Sequence, residues 1–165
     1  MPVSRATPSA YAPALMALAA VFFLRVLAQA VAAFAPVSFV PSMDEWVRPS
    51  ASAFSTSGLI PYPLLFAAQA AILIVQGLVC RDFLRGRGYF VSLAPRTGRW
   101  LVRVSYVYAG AMAARYGVTM ALYPERRWLG HTVPIVVHFA LAAFLYTLGH
   151  YQRGRLASPG TVRHG

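Results

Sequence analysis

Four apolar runs, residues 11–35, 59–80, 100–122 and 132–151, constrain this chain more than any other feature. Each reaches the roughly 20 residues that a helix needs to cross a hydrocarbon core of about 30 Å. Inside such a core no water answers the backbone, so each run must pair its own N–H and C=O groups as a helix. The expected fold is therefore all-α: a polytopic membrane protein built as a bundle of four transmembrane helices, in one domain spanning residues 1–152. Composition agrees, since 58% of the 165 residues are hydrophobic and 12% are charged. Soluble domains carry roughly a quarter charged residues.

The polar segments between the runs set the orientation. Arg81, Arg85, Arg87, Arg96 and Arg99 face one acid, Asp82, in the segment between the second and third runs, while Gly86, Gly88 and Pro95 interrupt any long helix there. Short loops rich in arginine stay on the cytoplasmic side. Arg5, Arg153, Arg155 and Arg163 then place both ends of the chain on that side too. On the other side Asp44, Glu45, Arg48, Glu125, Arg126 and Arg127 form a balanced set. In the longest connection, residues 36–58, Ser42-Met43-Asp44-Glu45 fits a capping box, which predicts a short interfacial helix with Trp46 at headgroup level. Residues 153–165 are expected to be a disordered cytoplasmic tail.

All 15 basic residues are arginine and the formal net charge is +11. The first fact points to the codon usage of a GC-rich bacterial genome, hence to a bacterial inner membrane. The second is explained by orientation and by anionic lipid headgroups, not by nucleic acid, because the charge sits beside apolar spans. A cleaved signal peptide competes for the first run, since Ala28-Gln29-Ala30 resembles a cleavage site; Arg25 interrupts its apolar region, and the run continues through Phe34. The single cysteine, Cys80, excludes dithiol chemistry within the chain.

Charges inside the spans are the candidate functional residues. Arg103 lies about one turn inside the cytoplasmic boundary, where its long side chain reaches the headgroups. Arg25 and Arg115 lie deeper, where a charge costs from roughly 3 kcal/mol upward and needs an answering group. No acid falls inside any run: Asp44, Glu45, Asp82 and Glu125 all lie in the connections. Gln29 stands one turn beyond Arg25 on the same face, Gln69 lies near the middle of the second run, and His138 lies in the outer third of the fourth. Tyr62, Gln69 and Gln76 are spaced by seven and form one stripe directed at the bundle.

Arg25, Gln29, Gln69, Arg115 and His138 are thus a candidate ligand-binding group for an anionic or strongly polar partner, a lipid headgroup or a small molecule. Planar guanidinium forks suit phosphate and carboxylate. The opposing reading is that these residues bond one another and the loop acids and simply fix the bundle. No cofactor or metal is expected: the histidines of the fourth run have no histidine in another span to oppose them across a haem, and no cysteine cluster or intramembrane acid completes a metal set. Nor do the spans hold the acid that a Ser-His-Asp arrangement needs. Gly110, Ala113, Ala114 and Gly117 give the third helix a small-residue face, which admits a partner helix and makes an accessory subunit of a larger complex, or a homo-oligomer, the second reading. A membrane enzyme or quinone-linked protein is the third.

Overall fold

The structure is a computed structural model that describes residues 7–34, 62–122 and 132–154. The described residues form four helices: α1 (Pro8–Phe34), α2 (Tyr62–Arg85), α3 (Pro95–Leu122) and α4 (Thr132–Gly154). The proposed interfacial helix at Ser42–Glu45, Trp46, the outer-loop acids and the segment beyond Gly154 lie outside the described residues.

Three of the helices are long and apolar enough to cross a membrane, over Pro8–Val31, Phe66–Arg85 and Ile135–Gly154. The fourth expected span, α3, is not among them. Its 28 residues suffice in length, but Arg96, Arg99, Arg103 and Arg115, with interspersed tyrosine and glycine, dilute its apolar character.

Helix ends differ from those expected for local reasons. Proline at the first helical position gives up an N–H that has no partner there anyway, so α1 opens at Pro8 and α3 at Pro95. With α1 starting three residues earlier than its apolar run, Pro13 falls in the second turn, where it removes one internal hydrogen bond. The polar segment Arg81–Arg85 continues α2 instead of leaving it. That helix stops where Gly86 takes φ 65°. The Gly86 N–H then bonds the Phe83 carbonyl and the Arg87 N–H bonds that of Asp82, both at 3.2 Å, the paired closure of a Schellman motif.

Residues 86–94 fold back over this end. Asp82, 3% exposed, accepts the Phe90 N–H at 3.2 Å and the Arg81 guanidinium at 3.0 Å. Gly88 is needed beneath it, because at φ 135° a Cβ would stand 2.2 Å from the Asp82 Cγ. From α4 the Gln152 amide donates to the Phe90 carbonyl, so the connection is held from both sides.

α4 is the central element: α3 packs along it, α1 packs on it from another side, and α2 packs on α1. Two apolar clusters fill the interior. One gathers Ala12, Leu15, Val79, Phe83, Phe144, Leu148 and Tyr151 at the loop end, and the other joins Phe22, Val26 and Val137 further along. The tightest crossing lies between α3 and α4. A Cβ on Gly98 would stand 2.9 Å from the Gly149 carbonyl oxygen, and one on Gly149 would stand 2.8 Å from that of Gly98. Gly110 and Gly117, which the sequence marks as the small-residue face, meet nothing within 4 Å. Among the described residues the close approach is therefore made elsewhere, and none of them covers Gly110 or Gly117.

Candidate functional site

Arg25 and Gln29 are four residues apart on α1, so their side chains meet one turn apart. The Arg25 guanidinium donates to the Gln29 side-chain oxygen. The same oxygen accepts the Gln69 amide of α2 at 3.1 Å. Gln29 is 3% exposed, which makes this shared acceptor the buried centre of a three-residue network, while Arg25 and Gln69 are half-buried. A carbonyl oxygen has two lone pairs and serves both donors without competition. The oxygen of Gln69 is itself buried with no hydrogen-bond partner. Two turns along α2, Gln76 is 2% exposed and neither end of its amide is bonded.

His138 projects from α4 toward α3. Its Nδ1 lies 2.5 Å from the Tyr108 hydroxyl, and the two rings meet edge to face with centroids 5.8 Å apart. Tyr108 stands two turns before Arg115 on α3. Arg115 itself is exposed on the α3 surface, and its carbonyl accepts the Thr119 hydroxyl at 2.9 Å.

The five expected residues are thus arranged in three parts. Arg25 and Gln69 are both hydrogen-bonded to Gln29; His138 is bonded to Tyr108; Arg115 is exposed on α3, two turns beyond Tyr108. Tyr108 is the participant that the sequence does not single out. Its spacing of seven from Arg115 was the available signal, since that interval returns to one face of a helix. Asp82 is the only acid among the described residues, and it is engaged with Phe90 and Arg81 in the last turn of α2.

Chemically the group offers guanidinium donors, amide donors and acceptors, and an imidazole whose second nitrogen is set by the bond its Nδ1 makes to tyrosine. Such donors and acceptors have the chemistry to answer a polar or anionic group. Arg103 stands apart from it, exposed, with its guanidinium carbon 5.8 Å from the centre of the Trp100 ring. That is the geometry of an arginine–tryptophan pair at an interface. The chain matches no family model, and no curated protein or solved structure matches it.

Proposed function

We propose that this is a small integral membrane protein of a bacterial inner membrane, with four transmembrane helices and both ends cytoplasmic, that binds an anionic or strongly polar ligand in the outer half of the bilayer. The ligand is a lipid headgroup or a small anion, held by Arg25 and Arg115 and oriented by Gln29, Gln69 and His138. One observation carries this reading: the Arg25 guanidinium and the Gln69 amide meet on the buried side-chain oxygen of Gln29, while the buried oxygen of Gln69 finds no hydrogen-bond partner among the described residues. Interhelical glue is served well by neutral amides and hydroxyls. A guanidinium joined to such a network brings a charge that packing does not need and that an anion would answer.

In this account α3 is the least apolar span because it contributes a ligand-binding arginine and is held in the bilayer by its contact with α4. Native mass spectrometry of protein extracted in mild detergent tests the reading. The wild type is expected to carry a bound anionic species that Arg115→Gln loses. An Arg115→Gln protein that folds and retains the same bound mass would sink it.

The openness of Gly110 and Gly117 favours a second reading, an accessory or assembly subunit whose α3 receives a partner helix. A gentle pull-down that returns only this chain, as a monomer, would count against that alternative.

A further inference from the structure

We infer that the half of α3 nearest residues 86–94 binds one anionic phospholipid, at a site that shares only Tyr108 with the group around His138. This rests on the membrane reading above but not on the proposed ligand of Arg25 and Arg115.

α3 buries Gly98, Val102 and Ser105 on the side that meets α4. On another side Trp100, Arg103, Val104, Val107 and Ala111 follow at helical spacing, and with Tyr108 they line a shallow furrow of about 340 Å³. Its walls are apolar and open: Trp100 is 65% exposed and Val107 is 73% exposed. Only the end toward residues 86–94 is charged. Helical side chains lean toward the helix N-terminus, so Arg103 and Trp100 gather at that end. Arg96 and Arg99 stand within the next two turns, and α3 contains no acid.

A furrow that is apolar along its length and cationic at one end matches one ligand chemistry closely. An acyl chain lies over Val104, Val107 and Ala111, a run of about 10 Å along the helix. The phosphate meets the planar guanidinium of Arg103 at headgroup depth. The arginine–tryptophan pair sits where aromatic and basic side chains anchor at an interface. Charge selects among occupants: a second copy of this chain, with a net charge of +11, brings like charge to the cationic end, whereas an anionic headgroup neutralises it.

The test uses the full chain in mild detergent, offered phosphatidylglycerol or phosphatidylcholine with the same acyl chains, with retained lipid counted by native mass spectrometry. The wild type should retain phosphatidylglycerol about fivefold better, and Arg103→Gln should remove that preference. Arg103→Lys should keep part of it, and Val107→Trp, which fills the furrow, should lower retention of both lipids. The loss of preference caused by Arg103→Gln should be the same in an Arg115→Gln background as in the wild type, so failure of this site and failure of the His138 group are told apart. An Arg103→Gln protein that still prefers phosphatidylglycerol as the wild type does would overturn the inference. So would a Val104→Cys variant that crosslinks into dimers in membranes, since a second copy then occupies the furrow. Should Arg103→Gln not fold, Val107→Trp decides alone: loss of retention supports the site and unchanged retention overturns it.

Discussion

Gly86 and Gly88 are two residues apart, both with positive φ, yet they answer to different constraints. At Gly86 nothing lies within 4 Å of where a Cβ would stand, so only the left-handed backbone opposes a side chain. At Gly88 the Asp82 carboxylate occupies that space as well. Gly86→Ala should therefore cost about 1–2 kcal/mol, and Gly88→Ala more, because it also displaces the acceptor of the Phe90 N–H. Thermal unfolding of both variants in one detergent checks the order; equal midpoints would mean that the Asp82 cradle contributes nothing. At the same scale, Tyr108→Phe removes the hydroxyl that meets His138 at 2.5 Å. That loss should destabilise by about 0.6 kcal/mol, the usual worth of an interhelical hydrogen bond in a membrane protein.

Much of the residue scale was legible in the sequence, and what was not has a physical cause. The spacing of Arg25 and Gln29 announces their contact, since four residues make one turn. Gln69 was expected at the right depth, but its bond to Gln29 depends on how α2 is rotated against α1, which spacing within one helix does not determine. Tyr108 was passed over for the same reason: its partner is on α4, and a tyrosine in an apolar run carries no mark of whether it faces lipid or a histidine.

Among the elements, α3 and α4 form the pair whose geometry is most sensitive to a single methyl group. Gly98 and Gly149 let the two backbones approach until each glycine sits within 3 Å of the other's carbonyl when a Cβ is added. Gly149→Ala should cost about 1–3 kcal/mol through overpacking. Gly110→Ala and Gly117→Ala, on the open face, should be neutral or slightly stabilising, as alanine is the better helix former. Unfolding of the three glycine variants would reveal a misplaced crossing if the open-face pair proved the more damaging. The sequence singled out Gly110 and Gly117 because they share a stripe of small residues. Gly98 sits among arginines at the start of α3, where nothing in the local pattern separates a packing glycine from a turn glycine. Apolar runs located all four helices, but ends set by polar residues, such as Arg81–Arg85 of α2, extend beyond the apolar signal.

For the whole molecule the consequential property is an uneven one: three helices apolar enough to span and a fourth, α3, that packs along α4 and carries four arginines. If α3 spans as proposed, residues 86–94 and the end of α4 lie on the same, cytoplasmic side. Cysteines placed singly at Arg87 and Arg153 in a Cys80→Ser background should both resist a membrane-impermeant thiol reagent in intact cells and react after permeabilisation. Labelling of either in intact cells would invert or break the topology.

The claim at the centre of the account is that Arg25 and Arg115 act together on one ligand. A double-mutant cycle of Arg25→Gln and Arg115→Gln, read as the fraction of protein carrying its bound anionic species in native mass spectra, tests this most directly. Strong non-additivity is expected, with each single variant losing nearly as much bound species as the double variant, because either charge alone holds the anion poorly. Independent losses that add, or a bound fraction unchanged in the folded double variant, would contradict it.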